Sequence, residues 1–163
     1  MQTKILFNRK DEKVKLPTRH EGENAGFDLY AHVDGDIIIE KHSTKMIPTG
    51  IRSVIEPNYY AQLFERGSTG SLGMKYSCGV VDSSYRGEWN VFISNCNDKD
   101  IIITDEVKET EIHNHCIRYP KSKGIAQFVI LPVPLVEIEE VDLETILSNK
   151  TNRMDGKLGS SGK

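Results

Sequence analysis

The stretch GVVDSSYRGEWN, Gly79 to Asn90, sets a carboxylate, a phenol and a guanidinium where an apolar strand breaks open. A tight turn would be served by Asn-Gly or Asp-Gly. Asp82, Tyr85 and Arg86 are more than a turn requires. Asp82 has the chemistry of a general base for water or of a ligand to a hard cation. Its structural alternative is a turn-former bonded to nearby N–H groups. Tyr85 offers its ring face to a flat or puckered ligand, or else to ordinary sheet packing. Arg86 suits a phosphate or a carboxylate.

Three further stretches carry chemistry of the same kind. NAGFDLYA (24–31) places Asp28 just after a small-residue turn. ERGSTGSLG (65–73) joins Arg66 to hydroxyls and glycines, a pattern that lets backbone N–H groups and a guanidinium approach phosphate. It is not a Walker loop, because no Gly-Lys-Ser/Thr follows. SKGIAQFVILP (122–132) puts Gln127 inside an apolar strand, where its amide must find partners. HNHC (113–116) lacks a fourth ligand and the spacings of zinc sites. His20, His32 and His42 are scattered, with no readable triad setting, and no histidine can be set beside Cys78.

The elements that must position these groups read as short strands. Apolar, β-branched runs occur at 4–7, 36–40, 45–55, 59–64, 90–94, 100–104, 124–133 and 136–141, separated by turn signals such as Asp34-Gly35 and Glu56-Pro57-Asn58. That rhythm predicts a sandwich or barrel. In YYAQLFER, Tyr60, Gln62, Phe64 and Arg66 share one face. The stretch between Gly79 and Asn95 reads as a hairpin. A single helix is expected near 142–149, opened by Asp142 as its cap.

The bulk numbers exclude several classes. A chain of 163 residues fits one domain with a real core. Its three cysteines have no disulfide-framework spacing, so reduced thiols are expected. The formal charge of −3 gives no basis for general nucleic-acid binding. The N-terminus has no signal-peptide pattern and no window is long and apolar enough to span a bilayer, so a soluble, cytoplasmic protein is expected. The last stretch, NKTNRMDGKLGSSGK, is too poor in apolar residues to fold alone. It reads as a frayed tail or as a segment that orders on an anionic ligand.

Taken in order, these stretches resemble the five motifs of the trimeric dUTPases. NAGFDLYA is similar to AGxDLxA, ERGSTG stands at the Arg-Ser-Gly motif, and GVVDSSYRGEWNV is similar to GVIDxDYRG. GIAQFVILPV is similar to RIAQL, and RMDGKLGSSG stands for RGxGGFGSTG. The resemblance runs from about Leu16 to the C-terminus. It implies an all-β, jelly-roll-like fold, a homotrimer with active sites between protomers, and a C-terminal arm (150–163) that closes over bound nucleotide from a β core (1–149).

The resemblance also implies roles. Asp82 would activate the water that attacks the α-phosphorus of dUTP, giving dUMP and diphosphate. Tyr85 would stack on the deoxyribose and exclude a 2′-hydroxyl. The backbone around 79–95, from Gly79 and Val80 onward, would read uracil. Arg66, Gly67, Ser68 and Gln127 would hold phosphates. Asp28 would orient the water shell of Mg²⁺. From the arm, Arg153, Ser160 and Ser161 would clamp the terminal phosphates, Leu158 would cover the base, and Gly159 would also bind substrate.

The sequence departs from the family pattern in places. Glu65 stands for a proline and Gly67 for a serine, leaving Ser68 as the hydroxyl. Met154 and Lys157 replace glycines, and Leu158 replaces an aromatic, losing about 1 kcal/mol of stacking. An extra hairpin is expected at about 96–121, a candidate docking place for a protein partner. The related dCTP deaminases carry a glutamate where NVFISN has Phe92, and a phenyl ring cannot shuttle protons. A non-catalytic, regulatory dUTP-binding protein on the same fold is the other alternative.

Overall fold

The computed structural model of the protein describes residues 4–77 and 79–151. The β unit ends at Val133, and the described residues from Pro134 onward belong to a second unit. In chain order the strands are β1 (Leu6–Arg9), β2 (Phe27–Leu29), β3 (Ile37–Ile39), β4 (Thr44–Pro48), β5 (Ile51–Val54) and β6 (Tyr59–Phe64). A single turn of helix, α1 (Gly67–Gly70), precedes β7 (Met74–Tyr76), β8 (Val80–Asp82) and β9 (Asn90–Asn95). Then follow β10 (Asp100–Thr104), β11 (Glu111–Ile112), β12 (Cys116–Pro120), β13 (Ala126–Pro132) and α2 (Leu143–Ser148). The chain is all-β in class, as its apolar rhythm predicts.

The strands form sheets in the orders β1-β5, β11-β12-β10-β3, β2-β13-β6-β8 and β4-β9-β7. Period-2 alternation points one face of each strand inward. Ala61 and Leu63 of β6, Val91 and Ile93 of β9, and Ile101 and Ile103 of β10 are buried in one core. Tyr60, Gln62 and Phe64 take the opposite, outer face of β6. The apolar run 45–55 is split into β4 and β5 at Gly50, whose φ of +71° suits glycine. A Cβ there would also meet Val14 at 2.5 Å.

Trp89 is the hub of the aromatic core. It packs edge-on to Phe7 and to Phe128, with ring centroids 5.8 and 5.1 Å away. Phe128 in turn stacks on Phe27 at 5.2 Å. The indole N–H donates to Ser53 Oγ at 3.1 Å, satisfying a buried donor. The Trp89 backbone N–H donates to Ile51 O, and its carbonyl accepts from Thr49 N.

Three expectations change in the structure. First, residues 79–95 are not a hairpin. β8 pairs with β6, whereas β9 pairs with β4 and β7, so the segment 83–89 crosses between two sheets. Burial of Trp89 draws the chain away from β8, which local turn chemistry cannot reveal. Second, the insertion at 96–121 is only partly an excursion. β10 and β12 run parallel, and Ile101, Ile103, Ile117 and Tyr119 are core residues. The extra hairpin is β11 with β12. The intervening loop is tied back by the Asp105–Lys121, Glu106–Arg118 and Glu109–Lys123 pairs. Third, the alternating run 136–141 is not a strand, and Leu135 and Ile138 are more than nine-tenths exposed. The helix at 142–149 forms as expected, Asp142 accepting from Thr145 N at 2.7 Å. No helix among the described residues is long and apolar enough to cross a membrane.

The Ser53→Ala variant leaves the buried Trp89 N–H without an acceptor. It should lose about 1–3 kcal/mol of stability, read as a lower denaturation midpoint at fixed protein concentration.

Candidate active site

A cleft of about 860 Å³ opens where β2, β13 and the end of β6 lie side by side. The register sets Gln127 opposite both Asp28 and Phe64. Two residues beyond Phe64, Arg66 turns back across the sheet, and its Nε donates to Asp28 Oδ1 at 2.7 Å. Its Nη1 donates to Gly124 O at 3.0 Å, Ser68 Oγ at 3.2 Å and Tyr119 Oη at 3.3 Å. Burial alone would lower the guanidinium's pKa, but Asp28 and then Tyr119 outweigh it, so the net direction is upward. Arg66 is a permanent cation with a fixed orientation.

The Arg66 backbone is locked as well. Its N–H donates to Thr69 Oγ1 at 3.0 Å, and its carbonyl accepts from Thr69 N at 3.1 Å. This closes the α1 turn that presents Gly67 and Ser68 to the cleft. Gln127 is held by its Nε2, which donates to Glu65 O at 2.7 Å. The opposite wall comes from the loop before β2. Thr18 and Asp28 exchange backbone hydrogen bonds, and the Thr18 hydroxyl meets Tyr30 Oη at 2.6 Å. Thr18, Arg19 and His20 therefore line the same cleft.

A second, smaller cleft of about 290 Å³ holds Asp82 and Tyr85 together with Val80, Leu63, Trp89 and Phe92. Tyr85 Oη donates to Glu88 O at 3.0 Å, which lays the ring across Gly87 and leaves it 44 % exposed. Arg86 Nη1 donates to the Ser83 and Tyr85 carbonyls, which braces this loop. The Asp82 backbone carbonyl accepts from Tyr85 N. Its exposed carboxylate has no side-chain partner among the described residues. Gly79 O is occupied by Leu63 N and Gln62 Nε2.

The structure brings Asp28, Arg66, Gly67, Ser68 and Gln127 into one cleft and Val80, Asp82 and Tyr85 into the other. It does not join the two groups. Asp82 lies opposite Tyr60 on β6, while Gln127 lies opposite Phe64. Four residues along the strand and two strand spacings across put them on the order of 16 Å apart. Arg153, Leu158, Gly159, Ser160 and Ser161 fall outside the described residues. Thr18, Arg19 and Tyr119 escaped sequence reasoning, because nothing in their local pattern signals an approach to Asp28 and Arg66. Among the described residues, no three His, Cys, Asp or Glu side chains converge to hold a metal ion. Asp28, Ser68 and Gln127 offer oxygens, a donor set for a hard cation that keeps its water and phosphate ligands.

Two glycines of the cleft make opposite predictions. A Cβ at Gly26 would sit 2.3 Å from Gln127 Oε1, whereas one at Gly67 would meet nothing within 4 Å. Gly26→Ala should displace the Gln127 amide and cost about 1–3 kcal/mol. Gly67→Ser should stay within about 0.5 kcal/mol of the parent protein. Thermal denaturation of both variants checks the pair.

The dUTPase family profile matches residues 12–108 of this chain. A deoxyuridine 5'-triphosphate nucleotidohydrolase from Anaplasma marginale is 31% identical over 165 residues, covering 99% of each chain. Among solved structures, a mutant dUTPase of Staphylococcus bacteriophage 80alpha with dUpNHpp aligns with a TM-score of 0.76 at 20% identity. It covers 98% of this chain and 99% of that one. A mutant dUTPase from phage phi11 of S. aureus, with a coordinated structural Mg(II) ion, aligns with a TM-score of 0.68 at 18% identity, over 85% and 97%. The match spans the first three motifs and the relative extends over nearly the whole length: the chain belongs to the dUTPase family.

Proposed function

We propose that this protein is a dUTP diphosphatase, hydrolysing dUTP at the α-phosphorus to dUMP and diphosphate. The observation that carries the reading is the division of labour between the clefts. One presents an oriented cation with hydroxyl and amide groups, and the other an unpartnered carboxylate beside an exposed aromatic ring. Water attack on phosphorus needs a base, charge neutralisation and alignment.

Asp82 takes the proton from the attacking water. The new bond forms between the water oxygen and the α-phosphorus. The bond from that phosphorus to the bridging oxygen breaks, and diphosphate leaves with the bonding electrons. Tyr85 packs its ring on the deoxyribose, and the bulk of a 2′-hydroxyl is rejected there. Main-chain groups from Gly79 and Val80 onward read the uracil edge over an apolar floor that includes Phe92. Arg66, Gly67, Ser68 and Gln127 hold the phosphates. From the arm, Arg153, Ser160 and Ser161 would add phosphate contacts and Leu158 would cover the base, with Gly159 also binding substrate. Asp28 would hold Mg²⁺ through its water shell, and the ion would supply charge neutralisation for the leaving diphosphate. A diffusible nucleotide substrate suits a cytoplasmic protein.

The distance between the clefts supports a homotrimer with shared sites. A general base must lie within hydrogen-bond reach of the proton it removes, about 3 Å or one water away. Asp82 and Gln127 lie on the order of 16 Å apart along the backbone of one chain, in separate clefts. A second copy that brings its Asp82 and Tyr85 to the Arg66 cleft would close that gap.

Diphosphate release from dUTP with Mg²⁺, beside dCTP, dTTP and UTP, tests the activity. Only dUTP should turn over, and Asp82→Asn should lower kcat by about 10²–10⁴-fold. A folded, dUTP-binding oligomer that releases no diphosphate would move the weight to a regulatory role. Mixing tests the shared site. Asp82→Asn and Arg66→Ala proteins, each inactive, should recover up to about a quarter of wild-type sites when refolded together, by random assortment of copies. No recovery from verified mixed oligomers would mean that each chain uses its own two clefts.

A further inference from the structure

The cationic cradle has a charge deficit that its best-held residue cannot cover. Arg66 is neutralised locally by Asp28 at 2.7 Å, so the pair adds no net charge to the cleft. The lining otherwise contains Arg19, His20 and uncharged groups. Glu21 and Glu23 of the same loop do not line it. Arg19 is therefore the one lysine or arginine of the described lining that is not offset by an acidic partner.

Its placement is restrained from both sides. Thr18, one residue before, is fixed by its backbone bridge to Asp28 and by Tyr30. The Arg19 guanidinium lies 5.0 Å from the centroid of the Phe27 ring. Phe27 stacks on Phe128, which is wholly buried beside Trp89. A ladder of rings thus runs from the core to the lip of the cleft and ends in a cation. Stacking on an aromatic face leaves the guanidinium edge and its N–H donors available. No carboxylate pairs with Arg19 among the described residues, whereas Asp28 already holds Arg66.

We infer that Arg19 is a substrate-binding residue that grips the diphosphate end of the nucleotide, supplying the charge that the Arg66–Asp28 pair withholds. The inference rests on the dUTP diphosphatase reading for its substrate, and on the cleft alone for its anion. Bidentate contact with phosphate oxygens is the geometry a guanidinium edge provides. Because the ring ladder holds it in advance, little rotamer freedom is lost on binding.

The experiment compares wild type with Arg19→Gln and Arg19→Lys. It measures steady-state kinetics with dUTP, inhibition by inorganic diphosphate, and binding of dUMP. Arg19→Gln should raise KM for dUTP and the inhibition constant for diphosphate about tenfold or more, with dUMP affinity unchanged. The gap from wild type should shrink with added salt. Arg19→Lys should recover part of the loss, as a charge without the planar fork.

A residue that merely braces the loop on Phe27 would give another pattern: a lowered melting temperature with dUMP and diphosphate binding weakened alike. That result, or diphosphate inhibition unchanged in a stable Arg19→Gln protein, overturns the inference. If wild type hydrolyses no dUTP, the diphosphatase reading fails by itself. Calorimetric titration of wild type and Arg19→Gln with inorganic diphosphate then still decides whether Arg19 holds the anion.

Discussion

The contact between Arg66 and Asp28 is the constraint around which the site is built. Asp28 sits in β2, Arg66 follows β6, Tyr119 lies near the end of β12, and Gly124 precedes β13. One guanidinium thus ties together three stretches that are far apart in the chain. A half-buried cation would be costly if any of these acceptors were missing. With all of them present, its orientation is settled before any ligand arrives. The same bonds fix Ser68 and the α1 turn, so the cradle is pre-shaped, and binding need not order it.

The aromatic core plays a matching role for the other cleft. Trp89 anchors the far end of the segment that carries Tyr85, and its backbone groups are taken up by Thr49 and Ile51. Tyr85 then closes on Glu88 and lies over Gly87. The ring faces solvent because the residue four positions later is drawn into the core. Both clefts are thus shaped by core packing, through different strands.

Much of this was legible in the sequence, in an uneven way. Strand rhythm is a local signal, and β3, β6, β9, β10 and β13 fall where the apolar runs predict. The motif residues Asp28, Arg66, Ser68 and Gln127 do converge. Strand pairing is a non-local property, and there local reasoning failed. Gly79 to Asn95 reads as a hairpin only until the burial of Trp89 is known. Tyr119 lies inside an apparent insertion, yet its hydroxyl meets Arg66, because β12 runs parallel to β10 and ends at the cleft. Arg19 carries no local mark at all, since its meaning comes from a ring ladder that depends on Phe128. The run 136–141 has the alternation of a strand, but a strand needs a neighbour to pair with.

The separation of the two clefts bears on how such a molecule evolves. The carboxylate and the cradle are inherited on one chain, but with sites shared as proposed, each chain's carboxylate would serve another chain's cradle. A change near Tyr85 is therefore judged by its fit to a neighbour's surface, whatever it does to its own fold. Variants that drift in one half carry their mismatch into every copy of the assembly at once. Selection would then act on the seam between identical molecules, and the two halves would have to change in step.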